Sequence, residues 1–275
     1  MRRALLVAIF PLVATVIAVA VVAVAAPPAA GGQGGLDYVA LGDSYASGVG
    51  TRSYYPDSGG CLRSPFAYPV LWAKAHPTSS FSFNACSGAT TDGLLAGQLG
   101  RLSADTDVVT VSIGGNDAGF GRVMTTCQVD GPSACDRAIS AAQDYIATHL
   151  PDRLDAAYDA IQHRASAAEV IVLGYPQLFE TGRCANTIDA VRRARLNAVA
   201  DQLAAVTADR AAAAGFTFAD TRSSFAGHRV CAPQEWINSP TWPVQESYHP
   251  DRDGHARAYL PVLTAITDAA TRRAG

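Results

Sequence analysis

The chain alternates between short, continuously apolar runs and longer stretches whose apolar positions recur at helical spacing. Five runs are of the first kind: LDYVAL at 36–41, FSFNA at 81–85, DVVTVSI at 107–113, EVIVLG at 169–174 and FTFAD at 216–220. They read as buried strands. The second kind is clearest from Cys135 to Ala165, interrupted at Pro151, and from Thr187 to Ala214; a last helix is expected from about Arg252 to Ala270. Apolar strands separated by helices imply a parallel sheet covered on both faces, a three-layer α/β/α sandwich with five strands. No linker or repeat divides it, so residues 36–275 are read as one domain.

The N-terminal pattern is different. MRRALLVAIFPLVATVIAVAVVAVAA opens on two arginines, continues uncharged and apolar, and ends on small residues. Residues 1–26 therefore read as a signal peptide, with Ala23-Val24-Ala25 as the cleavage box. The run from Ala4 to Ala26 is also long enough to span a bilayer, so an uncleaved anchor is the alternative. Cleavage is preferred because Pro11 interrupts the run and Ala-rich ends suit a peptidase. PPAAGGQGG then makes residues 27–35 a flexible lead-in. The expected product is secreted and extracellular, with no stable membrane anchor after cleavage, and monomeric.

Composition adds exclusions. The 275 residues are 49% hydrophobic and 16% charged, which is globular and not disordered. The formal charge is −3, or −5 once Arg2 and Arg3 are removed, and no basic patch or like-charge run suggests a nucleic-acid partner. Six cysteines lie beyond the leader: Cys61, Cys86, Cys127, Cys135, Cys184 and Cys231. An even count in an exported chain favours disulfides. Spacing does not choose the pairing. The simplest is sequential, Cys61–Cys86, Cys127–Cys135 and Cys184–Cys231, each closing one loop. No C-x-x-C or H-E-x-x-H supports a metal site.

The chemistry lies in the short segments at the strand ends. Gly42-Asp43-Ser44 comes after the first strand, Cys86-Ser87-Gly88-Ala89 after the second and Gly114-Gly115-Asn116-Asp117 after the third; Gly174-Tyr175-Pro176 and Asp220 close the others. In an open parallel sheet the ligand crevice lies beyond the carboxyl ends of the strands, so these segments would share one rim. A serine nucleophile needs a base and donors aimed at the developing oxyanion. Ser44 would be the nucleophile. The amides of Ser44 and Gly88 and the carboxamide of Asn116 would be the donors. Among six histidines, His249 in ESYHPD is the preferred base, on a loop returning to the rim. His255 falls in the last helix, His149 and His163 read as solvated, and His76 and His228 as surface residues. The α/β-hydrolase elbow G-x-S-x-G is absent around Ser44.

Bland readings compete with each assignment. Ser44 alone would serve as a helix N-cap, Gly88 as a turn residue, and Asn116 or Asp117 as a cap. Asp43 reads as a loop-ordering carboxylate, and Tyr54, Tyr55, Trp236 and Trp242 as packing residues.

Together GDSYASG, CSGAT, IGGNDAGF and SYHPDRDGH, in that order, resemble the blocks of the SGNH, or GDSL, hydrolase superfamily across the whole mature chain. GGCLRSPFAYPVLWA and LGYPQLF resemble its exported bacterial lipases, esterases and phospholipases. The resemblance implies a flavodoxin-like fold, catalytic Ser44 and His249, an oxyanion hole containing Gly88 and Asn116, sequential disulfides, and no metal or organic cofactor. Relatives orient the histidine either with an acid three residues upstream, here Glu246, or with a main-chain carbonyl, here that of Ser247. The carbonyl is preferred, and Glu246 is otherwise read as a solvated loop residue. The expected activity is hydrolysis of fatty-acyl esters such as acylglycerols. Phospholipase or carbohydrate acetylesterase activity, or a dead frame that binds lipid or glycan, are the alternatives.

Overall fold

The computed structural model describes residues 35–185 and 188–274; the expected signal peptide, nearly all of the lead-in, and Thr187 lie outside them. Five parallel strands form one sheet: β1 (Leu36–Gly42), β2 (Thr78–Phe83), β3 (Val108–Ser112), β4 (Glu169–Leu173) and β5 (Thr217–Ala219), in the order β2-β1-β3-β4-β5. β1, β3 and β4 are central. Leu41, Val109, Val111, Ile171 and Val172 are fully buried, and each is worth about 1.5–3 kcal/mol of transfer free energy.

The edge strand β2 begins earlier than its apolar run. Thr78-Ser79-Ser80 form its first half, because an edge strand needs no continuous apolar face. Its expected end leaves the ladder: Asn84 and Ala85 both turn their amides onto the carbonyl of Ala40.

The expected helix from 135 to 165 is two, α5 (Pro132–Thr148) and α6 (Leu150–Arg164). Both open on proline in the first turn, where a missing N–H costs nothing. The next long helix is α7 (Ala190–Ala213), and the last, α8 (Leu260–Ala274), is entered through a wide turn at Gly254–Tyr259. Four shorter helices lie outside the expected ones: α1 (Ser44–Ser47), α2 (Tyr68–Ala75), α3 (Thr91–Gly97) and α4 (Phe120–Val129). α2 and α8 pack on one face of the sheet and α3 to α7 on the other, giving the three layers.

Disulfides join Cys61 to Cys86, Cys127 to Cys135 and Cys184 to Cys231, and no described cysteine is free. The first fastens the turn after β2 to the loop beyond α1. The second joins α4 to α5.

The strand order reverses between β1 and β3: the chain leaves β1 outward toward β2, and β3 outward toward β4 and β5. That reversal opens a crevice at the carboxyl ends of β1 and β3.

Candidate active site

β1 ends in a tightly held turn. Gly42 lies opposite Ser112 of β3 with φ +128°, and a Cβ there would meet the Ser112 carbonyl oxygen at 2.4 Å. Only glycine fits. The buried Gln98 carboxamide grips the same residue, accepting from its N–H and donating to its carbonyl, both at 2.8 Å. Asp43 then caps the single-turn helix α1: its Oδ1 accepts from the Tyr45 amide at 2.9 Å. The cap is thus Asp43, and Ser44 stands one position inside the helix with its hydroxyl uncommitted to capping. Tyr175, just after β4, donates its hydroxyl to Asp43 Oδ2 at 2.5 Å. Burial pushes the Asp43 carboxyl up to about 7, with the Tyr175 hydroxyl and the Tyr45 amide opposing it.

Ser44 meets His249 across 205 residues of chain. The Oγ to Nε2 distance is 2.8 Å, and Nδ1 lies 3.0 Å from the Ser247 carbonyl oxygen. A carbonyl can only accept, so in the neutral ring Nδ1 carries the hydrogen and Nε2 presents its lone pair to the serine hydroxyl. The ring is neutral: burial pushes it down to about 4, while the Ser247 carbonyl pulls the other way.

The loop carrying His249 is fixed by groups far away in sequence. Tyr45 donates its hydroxyl to the Tyr248 carbonyl at 2.7 Å. Asn238 exchanges backbone bonds with Tyr248 and His249, and its side chain donates to the carbonyls of Gly50 and Glu246. Tyr45 and Phe120 flank the imidazole.

Glu246 departs from both roles considered for it. It is not solvated but 2% exposed, and its Oε1 accepts the Tyr54 hydroxyl at 2.5 Å. Among the described residues no hydrogen bond joins it to the imidazole, whose Nδ1 faces Ser247. The two loops press together here, and the carboxylate turns to the tyrosine that arrives with the other loop.

Asn116 and Ser44 line the same hollow, and Asn116 donates through Nδ2 to the Ala89 carbonyl at 2.9 Å. That bond ties the loop after β3 to the turn after β2. Gly88, at φ +79°, sits in that turn with open space where a Cβ would go; it lines a separate depression and not the hollow itself. Asp117 is structural, accepting from the amide and hydroxyl of Thr91 at the start of α3.

The other histidines stay away from the serine. His149 and His163 are exposed. His76 and His228 are not free surface residues; they stack on Trp72 and Trp236. His255 is fully buried, its Nδ1 accepting from the Tyr68 amide at 3.3 Å.

The hollow beginning at Ser44 holds about 640 Å³ of empty space, part of it open to solvent. It runs between α4, α5 and α7, past Val123, Met124, Ile146, Leu196 and Leu203. Its polar groups gather at the Ser44 end. Sequence reasoning missed Gln98, Asn238 and the Tyr54–Glu246 pair, which leave no local signal. Tyr175 could have been found from its place directly after β4.

The two buried histidines set an acid limit on stability. Burial holds His249 at about 4 and His255 at about 3, against 6.5 for free imidazole. Depressed values contribute stability that is full above pH 6.5 and lost as pH falls through 4 and 3. Asp43, raised to about 7, acts oppositely: its contribution is full below pH 3.8 and lost as pH rises through 7. Both rings lose their contribution on acidification below pH 6.5, and over most of that range Asp43 alone of the three works the other way, so these groups together leave the fold weaker in acid. Thermal melts should therefore show a falling midpoint over that range. A level or rising midpoint would contradict the burial of both rings.

A three-layer sheet that holds a serine hydroxyl against a neutral imidazole, above an apolar hollow, defines an ester hydrolase. Residues 40–257 match the GDSL-like lipase/acylhydrolase family, and the chain belongs to it. It is 52% identical over 232 residues to a lipase of Streptomyces rimosus, covering 84% of this chain and 87% of that protein. It is 49% identical over 227 residues to lipase 1 of Streptomyces coelicolor, covering 82% and 85%. The crystal structure of the extracellular S. rimosus lipase superposes with a TM-score of 0.82, covering 84% of this chain and 99% of that one. That of phospholipase A1 from Streptomyces albidoflavus, 43% identical, has the same score and coverage.

Proposed function

We propose that this ester hydrolase is a secreted, monomeric lipase that cleaves fatty-acyl esters through a Ser44 acyl-enzyme. Ser44 Oγ attacks the ester carbonyl carbon while His249 Nε2 takes its proton. The oxyanion is met by the amides of Ser44 and Gly88 and by the Asn116 carboxamide. His249 returns the proton to the leaving alkoxide, then activates the water that releases the acid. The Ser247 carbonyl keeps the imidazole in the tautomer that can accept, and stabilises the imidazolium when it forms. Asp43 and Gln98 hold the turn that presents Ser44.

The observation that carries the substrate reading is the hollow itself: it is polar only where the ester would sit and apolar along α4, α5 and α7. An acyl chain laid there leaves water, at about 0.8 kcal/mol per methylene. On p-nitrophenyl esters, kcat/KM should rise from acetate through octanoate, by up to about fourfold per added methylene. A maximum at acetate would contradict the reading and favour an acetylesterase. Acylglycerol and phospholipid substrates, compared side by side, assign the head group.

A further inference from the structure

Tyr175 follows directly on β4, is buried, and stands in the wall of the hollow. Its hydroxyl joins three strand ends. It donates to Asp43 Oδ2 at 2.5 Å, in the turn after β1, and accepts from the Gly115 amide at 3.2 Å, in the turn after β3. Asp43 precedes Ser44 and Gly115 precedes Asn116, so one phenol oxygen stands between the two turns that carry them. The sheet ties these turns only as far as the Asp43 amide, which donates to the Ser112 carbonyl at 2.9 Å. Beyond that point, among the described residues, the hydrogen bonds that join them run through Tyr175. The ring also lies against Gly115, where a Cβ would meet its Cζ at 3.2 Å, and packs edge-on against Tyr45. Filling the core does not by itself require such a bond. The hydroxyl of Tyr158, also buried, has no hydrogen-bond partner among the described residues.

We propose that Tyr175 is a positioning residue that sets the spacing between Ser44 and Asn116, and with it the fit of the oxyanion hole to the transition state. This rests on the reading of Asn116 as an oxyanion donor. The bonds run in one direction, from amide N–H to phenol oxygen and from phenol O–H to carboxylate, so each strengthens the next. The junction needs a group that accepts and donates at once, which a phenol does and a phenyl ring does not. The other side of the same turn is held by the bond from Asn116 Nδ2 to the Ala89 carbonyl, which uses one N–H of the carboxamide and leaves the second for the oxyanion. A hole of this kind stabilises charge only when its donors stand at hydrogen-bond distance from the oxyanion, so a small slackening of the turn is felt in the transition state. Acyl-chain binding along α4, α5 and α7 does not depend on that spacing.

Tyr175→Phe keeps the ring and removes the junction. On p-nitrophenyl octanoate its kcat should fall about tenfold while KM stays within about twofold of the parent. An alkyl trifluoromethyl ketone reads the hole directly. Ser44 Oγ adds to the ketone carbon, its proton passes to His249, and the carbonyl oxygen becomes an oxyanion in the hole. Its affinity should weaken by the same factor of about ten, whereas inhibition by free octanoate, a ground-state occupant of the hollow, should stay within about twofold. Asp43→Asn tests the junction by a second route, because its carboxamide oxygen can still accept from the Tyr45 amide but its NH₂ cannot accept the phenol proton. It should show the same loss, and the double variant should be no worse than either single one. Three results would overturn the proposal. One is parental kcat and ketone affinity in Tyr175→Phe. Another is a loss confined to KM and octanoate binding, which would make the tyrosine a wall of the hollow. The last is a pair of losses that simply add in the double variant. Asn116→Ala separates the underlying reading: parental ketone affinity in that variant would remove the oxyanion role of Asn116, and this proposal with it.

Discussion

Ser44→Ala is expected to abolish ester hydrolysis, with kcat down by at least about 10⁴-fold, while the protein stays folded. Loss and folding separate because of where the hydroxyl sits. Among the described residues its one hydrogen-bond partner is His249 Nε2, and the helix is capped by Asp43. Deleting it leaves a buried imidazole nitrogen unpaired, a cost of about 1–3 kcal/mol, which a domain of this size survives. Steady-state rates on p-nitrophenyl octanoate and a thermal melt, taken on the same preparation, check both halves. A folded Ser44→Ala protein that retains a tenth of the activity would exclude a serine acyl-enzyme.

His249→Ala should lower kcat by a comparable factor, because nothing else among the described residues stands within hydrogen-bond reach of Ser44 Oγ to accept its proton. Its pH signature is more specific. Burial holds this imidazole at about 4, so it stays a competent base far into the acid range. The acid limb of kcat/KM, which reports the free enzyme, should bend near pH 4 rather than near the 6.5 of ordinary imidazole. A limb at 6.5 or above would mean that the ring is more open to water than its surroundings here allow.

The layered fold is legible in the chain because both faces of the central strands are buried, which leaves continuous apolar runs at β1, β3 and β4. β2 starts three residues before its apolar run, since its first half lies at an edge and is free to be polar. The helices α2 and α3 are not legible, because about two turns offer too few positions to display a period, whereas α4 carries one, with Val123, Met124 and Cys127 buried on one face. The placing of Ser44 and Asn116 at one hollow is legible for a topological reason. Each lies close behind a strand, and parallel strands end on one rim. His249 can be found from its loop and its resemblance to a family block, but the groups that hold it cannot. Nothing near Glu246 in sequence announces Tyr54, 192 residues away, and nothing near Asn238 announces that one side chain joins two loops. The expectation of a solvated Glu246 fails for that reason. A charged loop residue looks solvated until the partner that buries it is known.

The claim on which the mechanism depends is that the Ser44 hydroxyl is nucleophilic because His249 Nε2 faces it. Reaction with a p-nitrophenyl alkylphosphonate, followed by intact-mass and peptide mass spectrometry, tests it most directly. The account predicts a single phosphonyl group, carried on Ser44, forming with release of one p-nitrophenolate and much more slowly in His249→Ala. An adduct on another residue, or equal labelling with and without the imidazole, would contradict it.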